Sequence, residues 1–226
     1  MSGGSQRFAV IGLGNFGFSL ASSLARLGAE VLAVDSDQKK IDELSEKVAL
    51  AVAFDCTDEQ LLRANGIDKV DVAVVAIGSD FGTSVLVTRM MRDMGIEVHA
   101  RATTDRESRI LRAVGANHIY MPERDHGDRV ARMLIHRNVE AYVPLAGGID
   151  FVQVKPIPGM LGRTIRDMDI RAVFGLNIAY IGRVSKDGVR TYRIPSPDDV
   201  VEMGDDIFLL GTQENIENFL RSAEKD

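Results

Sequence analysis

The chain has 226 residues, 45% hydrophobic and 27% charged, with a net charge of −6, so a real core can be buried in one large or two modest domains. The acidic excess is spread: residues 1–142 hold 17 Lys and Arg against 20 Asp and Glu, and residues 143–226 hold 10 against 13. No basic block of the kind a phosphate backbone demands is present, which excludes nucleic acid as a partner, and the single cysteine, Cys56, excludes a disulfide framework and a four-thiolate zinc site and fits a reducing, cytoplasmic compartment.

From the start of the chain, Met1 to Ser5 reads as a short polar tail without a signal-peptide core. Short apolar runs then alternate with helical patterns. The strand-like runs are Phe8 to Ile11, Val31 to Val34, Ala49 to Phe54, Val72 to Ile77, Val98 to Arg101 and His118 to Met121. They are mostly unalternating, as in strands buried on both faces of a parallel sheet. Helical stretches separate them: Phe16 to Leu27, Gln38 to Lys47, Asp58 to Asn65, Gly82 to Met94 and Asp105 to Val114. Gly28, Gly66, Gly95 and Gly115 each follow one of these, where a left-handed cap is usual. The alternation predicts a Rossmann-like, doubly wound parallel sheet in an α/β domain, residues 1–124. The longest apolar runs, Val48 to Phe54 and Val72 to Ile77, fall far short of the ~20 residues that cross a bilayer, so a membrane would be reached through a partner.

Asp125 to Ala141 reads as a longer helix, with Val130, Met133, Leu134 and Val139 on one face. It is either a surface helix on its own sheet or a crossover and dimer helix, residues 125–142; periodicity does not choose. After Pro144 to Gly148 the pattern changes. Strand patterns at Phe151 to Val154, Asn177 to Arg183, Arg190 to Ile194 and Asp206 to Gly211, with helices at Ile165 to Ala172 and Glu214 to Ala223, predict a small C-terminal α+β lobe over residues 143–226. Asp187-Gly188 and Pro195 to Asp199 are its turn signals.

The strongest motif is Gly12-Leu13-Gly14-Asn15-Phe16-Gly17, between an apolar strand and a helix. Gly12 permits the tight turn, Gly14 lets the backbone approach a diphosphate, and Gly17 lets helix and strand pack closely. The helix N-terminus offers free N–H groups to an anion. Eighteen positions after Gly17, Asp35 ends the second strand, where a carboxylate accepts hydrogen bonds from ribose hydroxyls and repels a 2′-phosphate. No arginine follows in Ser36-Asp37 to reverse that. Asp37 is the better-placed cap for the helix from Gln38.

Other strand ends point to the same crevice. Asp55 and Cys56 end the third strand and can meet an adenine edge. Thr57 reads as an N-cap and Asp58 as a first-turn residue. Cys56, with no evident base, reads as a pocket-lining residue rather than a nucleophile. Ile77 and Gly78 end the fourth strand, Arg101 the fifth, and Glu123 follows the sixth. A strand-end arginine is either solvated or near an anion. The histidines, His99, His118, His126 and His136, show neither metal-ligand spacing nor an evident carboxylate partner; each reads as structural or solvent-facing, with His126 and His136 on an exposed helix. No Gly-x-x-x-x-Gly-Lys loop, His-Glu-x-x-His helix or Tyr-x-x-x-Lys pair occurs. An enzyme is therefore the weaker class.

Taken together, the segments Ile11 to Gly17, Val31 to Asp35, Val74 to Gly78, Gly115 to Ile119 with Pro122 to Asp125, and Gly162 to Ile165 with Asp169 to Ile178 make Arg7 to Leu220 resemble the cytosolic regulatory subunits of Ktr/Trk-type potassium transporters. These are built from the domain that regulates potassium conductance (RCK). The resemblance implies an octameric ring built from dimers beneath a membrane-embedded potassium-translocating subunit. It implies ATP or ADP at the Gly-rich loop, with the two states differing in ring shape and ion flux. The protein would be cytoplasmic, peripheral at the inner face of the cell membrane. Gly12, Gly14, Asn15, Phe16 and Gly17 would take the phosphates, Asp35 and Ser36 the ribose, Asp55 and Cys56 the adenine, and Ile77 and Gly78 the wall. Arg101 would meet phosphate charge. Glu123 would approach a phosphate-bound cation, Mg or Na.

By the same resemblance, the best-known Ktr subunits carry arginine where this chain has Asn15, and that cation helps sense the terminal phosphate across a subunit interface; its loss raises NAD or NADH as the alternative ligand. A nicotinamide-dependent oxidoreductase or redox sensor is the competing class. In the second lobe, Ile165, Arg171, Asn177, Ile178 and Pro195 stand where some members bind cyclic di-AMP; ordinary core and turn roles compete with that reading.

Overall fold

The structure, a computed structural model, describes residues 6–185 and 187–223; the polar tail Met1 to Ser5 lies outside them. The chain divides into two units, one running up to Asp125 and the other from His126.

In the first unit the strands β1 (Arg7–Ile11), β2 (Glu30–Asp35), β3 (Leu50–Ala53), β4 (Val72–Val75), β5 (Glu97–Arg101) and β6 (His118–Tyr120) form one sheet in the order β3-β2-β1-β4-β5-β6. Every neighbouring pair is parallel. The crossovers are the helices α1 (Asn15–Arg26), α2 (Gln38–Ser45), α3 (Glu59–Ala64), α4 (Phe81–Asp93) and α5 (Asp105–Ala113). The doubly wound reading holds, with boundaries within about two residues of those expected.

Two apolar clusters explain why the strands do not alternate. Ala9 and Ile11 of β1, with Leu32 and Val34 of β2, face a cluster completed by Leu62, Val87, Met91 and Leu111 from α3, α4 and α5. Val10, Val31 and Ala33 face the other way, against Ala21 of α1 and Ile41 and Leu44 of α2. Burying one such side chain gains roughly 1.5–3 kcal/mol, so neither face can be left to water. The outermost strands are the exception: β3 and β6 are only half covered, because each has a neighbour on one side alone.

Helix ends follow side-chain chemistry. Gly28, Gly66, Gly95 and Gly115 all sit at positive φ after helices, as expected. Asp37 caps α2, accepting from the Lys39 amide. Asp58, not Thr57, caps α3, accepting from the amides of Gln60 and Leu61. Thr57 is instead drawn to Asp55, to which its amide and hydroxyl donate at 2.9 and 2.8 Å.

The helix expected up to Ala141 ends earlier: α6 spans Pro122–Ile135. Val139–Pro144 is a strand, β7, paired with the strand Ile149–Val154; a bulge between Val139 and Ala141 brings Val139 and Tyr142, three residues apart, onto the same core-facing side. The second unit builds an antiparallel sheet in the order β10-β9-β11-β8-β7, from β7, β8 (Ile149–Val154), β9 (Asn177–Val184), β10 (Arg190–Arg193) and β11 (Asp206–Thr212). The helix expected at Ile165 to Ala172 is two short ones, α7 (Ile165–Met168) and α8 (Ile170–Phe174). Asp169, at φ 41°, breaks it; a short polar side chain tolerates the left-handed region. Helix α9 (Gln213–Ala223) buries Ile216, Phe219 and Leu220 in this core. Asp206, almost wholly buried, is held by Lys155 at 2.5 Å and by Arg190. Burial pushes its carboxyl up, and these two cations more than reverse that, holding it below the usual value.

Candidate functional site

A cleft of about 630 Å³ opens at the carboxyl ends of the parallel strands. The chain order reverses direction between β1 and β4, which is where open α/β sheets leave a crevice.

The loop after β1 forms its floor. Gly12 adopts φ 94°, and a Cβ there would stand 3.0 Å from the backbone nitrogen of Ile77, so only glycine fits without strain. Gly14 caps α1 with no side-chain hydrogen bond, and the first turn carries no acidic residue. Its side faces open space. The positive end of the helix dipole is thus unopposed and accessible at Gly14, Asn15 and Phe16. Gly17 does not line the cleft: a Cβ on it would meet the Gly12 carbonyl oxygen at 1.9 Å, so it seats the helix against the loop.

Asp35 ends β2 and reaches back to this loop. Its carboxylate accepts from the Leu13 amide at 2.6 Å and the Asp37 amide at 2.9 Å, and Lys40 Nζ lies 3.3 Å from both oxygens. Burial raises its pKa, but those two amides and the ammonium outweigh it and hold the carboxyl below its ordinary value. A carboxylate has about four acceptor positions, which these four contacts occupy, so a ribose hydroxyl would take the place of one of the long Lys40 contacts. Lys40 lines the cleft too, a residue that no sequence motif marks. Its signal is modest: it falls in the first turns of the helix that follows Asp35.

Asp55 and Cys56 follow β3 and line the same cleft. The Thr57 amide and hydroxyl hold the Asp55 carboxyl below its usual value. Burial, with the charge of Asp55 beside it, pushes the Cys56 thiol up to about 11. A thiol of that kind is neutral and poorly nucleophilic at neutral pH, consistent with a lining residue. After β4 come Ile77 and Gly78, then Asp80, which caps α4 and accepts from the Thr83 amide and hydroxyl. Thr83 faces the cleft as well, another residue the sequence reading does not single out.

Arg101 ends β5 and crosses the cleft wall. Its Nη2 donates to Glu123 Oε1 at 2.5 Å, while its Nε is buried without a hydrogen-bond partner. Glu123, from the first turn of α6, is much the more exposed of the two, and Arg101 holds its carboxyl below the usual value. A Cβ on Gly78 would stand 1.9 Å from Arg101 Nη1. So the cleft brings together Gly12, Gly14, Asn15, Phe16, Asp35, Ser36, Asp55, Cys56, Ile77, Gly78, Arg101 and Glu123.

The second-lobe residues are not gathered in the same way. Ile165 and Ile178 are half-buried and pack on the core of the second unit. Arg171 is exposed on α8, Asn177 opens β9 opposite Leu210, and Pro195 follows β10.

Two histidine readings are corrected. His136 is buried and its Nε2 lies 3.5 Å from Glu217. His99 and His118, from different strands, come together beside Glu97. Their spacing in sequence hides this, because the ligand-like set is made by strand register.

Comparison with known proteins adds the following. Residues 8–122 match the TrkA-N domain and residues 152–223 the TrkA-C domain. The Ktr system potassium uptake protein A of Vibrio alginolyticus is 33% identical over 223 residues, covering 98% of this chain and 100% of that protein. The Ktr system potassium uptake protein C of Bacillus subtilis is 34% identical over 215 residues, covering 95% of this chain and 96% of that one. Among solved structures, the GsuK RCK domain aligns with a TM-score of 0.56 at 24% identity, over 98% of this chain and 47% of that chain. A crystal structure of GsuK bound to ADP aligns with a TM-score of 0.52 at 25% identity, over 58% of this chain and 34% of that chain. No helix among the described residues is long and apolar enough to cross a membrane.

Proposed function

Because the chain belongs to the family of Ktr/Trk-type potassium-uptake proteins that join a TrkA-N to a TrkA-C domain, we propose that it is the regulatory subunit of a potassium transporter and that an adenine nucleotide in the cleft sets its conformation. The observation that carries this is one space with three chemistries at separate points: an uncapped helix N-terminus, the Asp35 carboxylate and the Arg101 guanidinium. A nucleotide needs those three, for diphosphate, ribose and outer phosphate charge.

In this reading Gly12, Gly14, Asn15 and Phe16 receive the phosphates, with Gly17 seating the helix that supplies the amides. Asp35 and Ser36 take the ribose. Asp55, Cys56 and Ile77 border the base, and Gly78 leaves room for Arg101. GsuK has been solved with ADP and with NAD, which supports an adenine nucleotide in the cleft without choosing between the two. Glu123 is already engaged by Arg101. It fits Mg or Na only as one ligand to a cation held mainly by the phosphates. The Cys56 thiol that lines the cleft is held neutral, and the role proposed is binding without turnover. ATP and ADP would shift a conformational equilibrium through their different affinities for its two states. Assembly into an octameric ring of dimers on a membrane-embedded potassium-translocating subunit belongs to the same proposal, as does a cytoplasmic place at the membrane face.

Asn15 favours a second reading, an NAD or NADH sensor. It brings no charge to the terminal phosphate, and the loop with Asp35 suits a dinucleotide equally. A second ligand such as cyclic di-AMP would fall in the C-terminal lobe, on Arg171 with Ile165, Asn177, Ile178 and Pro195.

The test is potassium flux into proteoliposomes carrying a Ktr-type membrane subunit, with this chain added. Flux that differs several-fold between ATP and ADP supports the proposal. Equal flux with both, or no dependence on this chain, contradicts it.

A further inference from the structure

Two histidines and a glutamate share one face of β5 and β6: Glu97 opens β5, His99 is its middle residue and His118 opens β6, and none of the three lines the cleft. His99 pairs with His118 in the parallel register. Side chains at paired positions of a sheet point the same way, and Glu97, two residues before His99, shares that face. The three side chains meet: Glu97 Oε1 lies 3.0 Å from His99 Nε2 and 3.8 Å from His118 Nε2. The imidazole centroids are 4.5 Å apart. One donor atom from each of the three lies within 4.8 Å of the others.

From this geometry we infer that Glu97, His99 and His118 form a binding site for a divalent transition-metal ion, zinc first, separate from the nucleotide cleft. The donor set is two imidazole nitrogens and one carboxylate oxygen, which suits zinc and not magnesium or calcium. Bonds of about 2.0–2.1 Å place tetrahedral ligand atoms roughly 3.3 Å apart. The two oxygen-to-nitrogen separations bracket that value and the two imidazole donors lie within 4.8 Å of each other, so the site closes when side-chain rotation draws the imidazoles together. Three protein ligands leave a fourth position for water or a ligand on another molecule. His118 and Glu97 are largely exposed, so the ion can enter from solvent.

The second ring nitrogen of His99 is also placed. Its Nδ1 lies 2.9 Å from the Tyr120 hydroxyl, on the same face of β6. With metal on Nε2, Nδ1–H donates to the Tyr120 oxygen, the outer contact that orients a ligating imidazole. A bound ion would tie the outermost strand β6 to β5.

The test uses the full, tag-free, EDTA-stripped chain without nucleotide, titrated with zinc by calorimetry and with cobalt by visible absorption. The wild-type chain should bind one zinc with micromolar or tighter affinity, melt at higher temperature with zinc, and give cobalt bands of a nitrogen- and oxygen-ligated ion. H118Q and E97Q, both changed at exposed side chains, should melt as wild type without metal. Each should lose at least tenfold in zinc affinity, together with the cobalt bands. Failure of the wild-type chain to bind zinc, or equal binding by H118Q and wild type, would overturn the site.

Discussion

The Arg101 guanidinium lies across the backbone of Gly78, so close that a Cβ there would stand 1.9 Å from Nη1. The side chain is mostly buried, and its Nε has no acceptor. The guanidinium lines the cleft with Glu123 as its carboxylate partner, which places its charge where an anion in the cleft would meet it. Gly78→Ala should therefore displace Arg101 from the cleft and from Glu123. Affinity for a nucleotide triphosphate should fall about tenfold or more, equivalent to ~1.4 kcal/mol, with folding intact by circular dichroism. Unchanged affinity would remove Arg101 from the phosphate site.

Asp35→Ala should weaken every ribose-bearing ligand, ATP, ADP and NADH alike, by about tenfold or more. It should leave inorganic phosphate binding little changed. A loss confined to one nucleotide would mean that Asp35 does not meet the ribose.

Asp35 also carries a pH dependence. Its folded pKa lies below the ordinary carboxyl value of 3.8, so its stabilisation is present above that value and is lost as pH falls through the lowered one. Asp35→Asn should thus destabilise the chain at pH 7 by about 1 kcal/mol and lose that difference toward acid. Urea midpoints at both ends of the range check this; a gap that widens in acid would contradict the account.

Asn15→Arg should raise the preference for ATP over ADP, since a cation is added at the first turn of α1 beside the cleft. If the affinity ratio does not move, residue 15 does not sense the terminal phosphate.

The Cys56 thiol, pushed up to about 11, should alkylate slowly at pH 7 and faster as pH rises toward that value. A nucleotide in the cleft should protect it. Rapid modification at pH 7, or no protection by ATP, ADP or NADH, would place Cys56 outside the site.

Much of this architecture can be read from local chemistry. The glycine loop, Asp35 at the second strand end and the glycines after each helix are each dictated by backbone geometry within a few residues, and the parallel sheet follows from them. Residues governed by distant neighbours are harder to read. Val139 fits a helical face by spacing, yet it is a strand residue because β8 offers a partner. Asp169 splits a helix whose periodicity runs straight through it. Lys40 becomes part of the cleft only once α2 folds back over Asp35. Glu97, His99 and His118 are unrelated by sequence spacing and meet only through the register of β5 with β6.

The most direct test of the central claim is calorimetric titration of the nucleotide-stripped chain with ATP, ADP, NAD and NADH in parallel. The account predicts micromolar binding of ATP or ADP, with NADH at least about tenfold weaker. Preferential NADH binding, or no binding of either adenine mononucleotide, would contradict it.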